Sequence, residues 1–78
     1  MSEHLTLSIT LRPEPEGGFT VRVPALPEIV TFGESEDEAV AMAKDAIALV
    51  LESRKERGEL LPAEDKTVLR SVDVIIAA

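Results

Sequence analysis

The 78-residue chain has no cysteine, tryptophan or tyrosine, and only two phenylalanines and one histidine. Each absence removes a class of function. Without thiols there is neither a disulfide framework nor a thiolate zinc site. His4 is the single imidazole, so no His-rich metal cluster can assemble. Phe19 and Phe32 alone cannot supply the aromatic platforms on which single-stranded nucleic acids stack. Basic residues are also scarce. Eight Lys and Arg against fifteen Asp and Glu leave a net charge of −7. That field repels phosphate backbones and argues against nucleic acid or an anionic membrane as a partner of this chain alone. No apolar run approaches the roughly 18–20 residues of a membrane span. The Met-Ser-Glu-His start lacks the basic and apolar regions of a signal peptide. A cytoplasmic protein without a cofactor is expected.

What is present is enough for one small domain, residues 1–78. The apolar fraction of 45% is too high for a disordered acidic tail. Leu5, Leu7, Ile9 and Leu11 alternate with polar residues, which predicts a first strand over about 4–12 with those four on one face. Pro13 to Gly18 holds two prolines and a Gly pair, turn chemistry that interrupts the ladder. Alternation resumes at Phe19, Val21 and Val23, giving a second strand over about 19–24 and a hairpin. Pro24-Ala-Leu-Pro27 is a punctuated connection to a short third strand over about 29–33.

The most sharply marked element follows. Ser35 and Glu38 have capping-box spacing, and Glu36 and Asp37 place negative charge where the helix dipole favours it. Ala39, Val40, Ala43, Ala46, Ile47, Val50 and Leu51 recur at spacings of three and four. Arg54, Lys55 and Arg57 suit the far end, and Gly58 suits the position just beyond it. A helix over about 36–57 is predicted. Met42, Ala48 and Leu49 lie off the main stripe, and either widen it or border a second contact surface. Val72, Val74 and Ile76 alternate again, which predicts a C-terminal strand over about 68–76. The order β-β-β-α-β defines an α+β, two-layer architecture, one long helix on a small and mainly antiparallel sheet. Its exposed strand edges predict a homo-oligomer, a dimer or tetramer.

Candidate sites are few. Glu14, Glu16, the acids from Glu34 to Glu38, and Asp73 are the carboxylates a two-metal nuclease could use. The inward face of the first strand is apolar, however, and capping explains the acids at the helix start. His4 and Ser8 form no nucleophile set. Between Glu28 and Glu38 there are five acids (Glu28, Glu34, Glu36, Asp37, Glu38) and no base. They can be a solvated surface compensating a helix dipole, or a patch complementary to a basic protein.

Two phrases carry a resemblance. Glu16-Gly-Gly-Phe-Thr-Val-Arg-Val-Pro-Ala-Leu-Pro27 and Thr31-Phe-Gly-Glu-Ser-Glu-Asp-Glu-Ala39 resemble, in order and spacing, those of the HicB-like antitoxin family. Ala43 to Ala46 and Gly58 to Pro62 extend the likeness, which covers about residues 5–62. Glu28-Ile29 stands where the family usually has Gly-Cys. The resemblance implies a fold similar to a truncated RNase H. It also implies an antitoxin that neutralises a small basic mRNA-cleaving HicA-type toxin by occluding its RNA site. The stretch 59–78 reads as loop plus strand, matching short members without a C-terminal DNA-binding segment. Two other readings stay open. One is a stand-alone homo-oligomeric interaction module with another partner. The other is a metal-dependent nuclease, against which the apolar first strand argues.

Overall fold

Three antiparallel strands and one helix form the body of the molecule. The computed structural model describes residues 5–64, 67–68 and 70–76; His4 lies outside them. The elements are β1 (Thr10–Pro13), β2 (Phe19–Arg22), β3 (Val30–Gly33) and α1 (Glu36–Glu56). The sheet order is β1-β2-β3, with β2 in the middle. Leu11 pairs with Val21 and Val21 with Thr31, while Phe19 pairs with Pro13 on one side and Gly33 on the other. Period two therefore sends Leu11, Val21 and Thr31 to one face and Arg12, Thr20 and Phe32 to the other. The first face meets α1, where Val21, Ala39 and Ala43 are buried against Ile9, Leu11 and Phe19.

The small residues matter at this contact. A Cβ added to Gly33 would lie 2.9 Å from the Ala39 Cβ and closer still to the Ala39 backbone. Helix and sheet thus meet backbone to backbone, which only Gly opposite Ala allows.

The connection between β2 and β3 is a double turn. The Leu26 amide donates to the Val23 carbonyl and the Ile29 amide to the Leu26 carbonyl, both at 2.9 Å. Pro24 and Pro27 each occupy the second position of a four-residue turn, where the fixed φ of proline is pre-set. The repeat of three turns Val23, Leu26 and Ile29 to the same side. They form the second buried cluster, packed against Leu7, Ile9, Ala46, Ile47, Val50 and Leu51. Leu26 is fully buried. The punctuated connection is thus half of the core.

Both ends of α1 are closed by local chemistry. At the start, the Glu38 amide donates to Ser35 Oγ at 3.1 Å, and Ser35 is extended at φ −133°, ψ 168°. At the end, Gly58 takes φ +71°. Its amide donates to the Lys55 carbonyl at 3.1 Å, and the Glu59 amide reaches back to Arg54 at 2.9 Å. This is the Schellman pattern, and it explains why glycine ends the helix.

Two expectations need correction. The ladder of β1 spans Thr10–Pro13, not residues 4–12. Leu5, Leu7 and Ile9 are half-buried toward the helix as their alternation predicts, but β2 ends at Arg22 and the chain turns away at Pro24. Residues 5–9 therefore have no neighbouring strand on that side. The C-terminal strand is likewise not formed in the single chain: residues 70–76 have no regular structure and are exposed. Val72, Val74, Ile75 and Ile76 are at least 77% exposed, so the alternating pattern has nothing to pack on. The α+β class holds, with three strands among the described residues rather than the four expected. Met42 and Leu49 stay exposed, so neither widens the core stripe.

Candidate partner-binding surface

The five acids between Glu28 and Glu38 do not form one patch. Glu28 lies in the second turn of the β2–β3 connection, and its Oε2 accepts from the Arg54 guanidinium at 2.9 Å. Arg54 belongs to the last turn of α1. Glu36 begins that helix, roughly 27 Å away along its axis at about 1.5 Å per residue. Glu28 therefore belongs to the opposite end of the molecule from Glu34, Glu36, Asp37 and Glu38.

Glu28 serves a structural purpose. Its backbone hydrogen bond, and then Arg54, hold the carboxyl below its ordinary value of 4.5, against an opposing influence of desolvation. The pair ties the end of α1 to the double turn. Both partners remain solvated, which keeps the interaction weak.

The other four acids are exposed. Glu36, Asp37 and Glu38 fill the first turn of α1, where the dipole stabilises them. Ser35 Oγ accepts from the Glu38 amide, so its side chain serves as the helix cap. The register adds acids that linear proximity missed. Phe19 pairs with Gly33, which brings the β1–β2 loop to the same end of the sheet as the start of α1. That loop carries Glu14 and Glu16. Glu14 is half-buried and accepts from Thr20 Oγ1 at 2.8 Å, while Glu16 is exposed. The hairpin register is the signal that could have joined them to the patch.

This acidic end has the chemistry of an electrostatic contact surface. It offers carboxylates on a rigid helix start and on a glycine-pinned loop. Gly18 sits there at φ +80°, with the Phe32 ring closing on it from the next strand but one. Arg12 and Arg22 are exposed on the outer face of the sheet, which bounds the negative region on that side. Among the described residues no group of three His, Cys, Asp or Glu could hold a metal ion. No described helix is long and apolar enough to cross a membrane.

A second surface is apolar. Leu5, Leu7 and Ile9 on one side and Val40, Lys44, Ala48 and Leu51 on the other line an open groove of about 520 Å³. It runs beside the free edge of β1, where the helix flank overhangs residues 5–9.

The family described as HicB_like antitoxin of bacterial toxin-antitoxin system matches residues 7–74. An antitoxin HicB 1 of Photorhabdus laumondii is 35% identical over 72 residues, covering 92% of this chain and 46% of that protein. Antitoxin HicB of Escherichia coli K12 is 43% identical over 54 residues, 69% of this chain and 39% of that protein. A UPF0150 protein, Ta0767, of Thermoplasma acidophilum is 36% identical over 64 residues, 78% of this chain and 93% of that protein. The chain thus spans less than half of the two HicB relatives and nearly all of the Thermoplasma one. The match runs through the double turn, the Gly33–Ala39 contact and the capped helix start, the features on which the fold depends. The chain belongs to the HicB-like antitoxin family of bacterial toxin–antitoxin systems.

Proposed function

We propose that this chain binds and neutralises a small basic mRNA-cleaving toxin of the HicA type, covering the toxin's RNA-binding surface without performing chemistry itself. Family membership over residues 7–74 is the observation that carries this reading. The acidic end supports it. A toxin that binds RNA presents cations arranged for phosphates, and exposed carboxylates compete for that surface. Glu34, Glu36, Asp37, Glu38 and Glu16 are the proposed contacts; Glu28 is not among them. Such charges raise association rate and specificity more than final affinity. The likeness to a truncated RNase H fold belongs to the same reading, and the antiparallel β1-β2-β3 order is compatible with it. So does a cytoplasmic location, where the toxin would meet mRNA.

The test is co-expression with a small basic toxin of the HicA type. Neutralisation should restore growth, and the two should co-purify. Replacing Glu34, Glu36 and Asp37 by Gln, Gln and Asn leaves the cap intact. That variant should slow association about tenfold or more at low salt and flatten its salt dependence. Failure of the native chain to co-purify with the toxin contradicts the function. Unchanged association by the variant contradicts the acidic end as the contact.

A further inference from the structure

We propose that residues 70–76 form a β-strand on a second copy of this chain, pairing with the free edge at residues 5–11 and filling the apolar groove beside it. The inference stands independently of the toxin reading.

The occupant follows from three observations. The first is complementary chemistry. Val72, Val74 and Ile76 share one face at period two, and all three are at least 77% exposed. The groove is lined mainly by Leu, Ile, Val and Ala, with Lys44 as its single charged residue. The second is an available edge. In the order β1-β2-β3, β1 is an outer strand, and residues 5–9, which lead into it, sit in no ladder. Unpaired backbone groups beside an apolar groove are a template for another strand. Residues 70–76 and 5–11 are also equal in length.

The third observation decides whose strand it is. Ser8 Oγ lies 3.5 Å from the Thr67 carbonyl oxygen of its own chain. The tail therefore reaches the edge at its middle. Run parallel from there, Val72 would stand level with Pro13, and Val74 and Ile76 would pass the end of β1. Run antiparallel, residue 70 would already stand level with Leu5. In neither direction does the segment 70–76 lie along residues 5–11 of its own chain. It projects instead, as the exposure of Val72 to Ile76 records. A second copy related by a two-fold axis removes the conflict, because each tail crosses to the other's edge. Reciprocal exchange doubles the contact, toward the roughly 1,200 Å² or more that specific interfaces bury.

The absence of native cysteine makes the test direct. Ala48→Cys marks the groove and Val74→Cys marks the tail. The two single variants of the full chain are mixed and oxidised with glutathione disulfide. The expected product is a mixed covalent dimer at twice the 8.4 kDa of one chain. In the double variant the same bond should link two chains. Light scattering of the native chain at about 50 μM should show a dimer. Val74→Asp with Ile76→Asp should return it to a monomer with unchanged helical circular dichroism. A native monomer at that concentration overturns the proposal, including the case where the tail is covered only by a toxin. A double variant that closes its disulfide within one chain overturns it too, and assigns the groove to the chain's own tail.

Discussion

Residues 19–29 and residues 70–76 carry the same apolar vocabulary and meet opposite fates. In the first stretch Val21, Val23 and Ile29 are at most 5% exposed; in the second, Val72, Val74 and Ile76 are at least 77% exposed. Both alternate as strands do. The difference lies in what surrounds them. β2 has a strand on each side and a helix above it, so every alternate residue finds a wall. The double turn then continues the core without any ladder, because two prolines return Val23, Leu26 and Ile29 to the same side. The tail has the pattern without the walls. Hydrophobic periodicity states which face wants burial; it does not state which molecule supplies the cover.

That contrast can be broken most sharply at Leu26. A core of this size rests on a handful of side chains, and Leu26 is fully buried among them. Leu26→Ala should cost about 2–5 kcal/mol, a large part of the roughly 4–12 kcal/mol available to a chain of this length. Ile75→Ala, at a residue 97% exposed, should change stability by about 0.5 kcal/mol or less. Urea denaturation of both variants checks the pair. Comparable losses would mean that the tail is part of the monomer's core.

A smaller effect is expected at the start of α1. Ser35→Ala removes the acceptor of the Glu38 amide and should cost about 1 kcal/mol. Ser35→Asp should recover most of that loss, since Asp caps equally well. Thermal denaturation distinguishes the two. An equal loss in both variants would show that Ser35 acts by something other than capping.

The smallest effect concerns the other end of the helix. The Glu28 carboxyl titrates below its ordinary value of 4.5 in the folded chain. A depressed carboxylate contributes stability above the unfolded value and loses it as pH falls through the folded one. Glu28→Gln should therefore leave a shallower acid limb below about pH 4.5, with little change at pH 7, where a solvated pair contributes little. Stability measured from pH 7 to pH 3 reads this directly. An identical acid limb in the variant would remove Glu28–Arg54 from the account.

These sites also show what was legible without coordinates. The helix bounds were, because its signals are local: a serine cap, a 3.6 period and Gly58 in the left-handed region. The hairpin was legible for the same reason. The burial of Leu26 was harder to see, since prolines on both sides suggest a surface link. The spacing of three through Val23, Leu26 and Ile29, with proline after the first two, carried the information. The fourth strand and the full length of the first are not in the ladder of the single chain, because alternation reports a preference for burial and pairing needs a neighbour. The five acids divide between the two ends of the molecule for a different reason. Glu28 is six residues from Glu34 in sequence, but it bonds to Arg54, twenty-six residues away. The register of β2 with β3 had instead brought Glu14 and Glu16 to the helix start. Distance along the chain is a poor guide to charge clustering once a hairpin and a long helix intervene.

Amide hydrogen exchange of the full chain over a dilution series tests the contrast between body and tail most directly. Protection in β2 and α1 should be the same at every concentration. Protection in residues 5–9 and 70–76 should rise together as the chain is concentrated and vanish together on dilution. A tail that exchanges freely at every concentration, or one protected equally at all of them, would contradict this expectation.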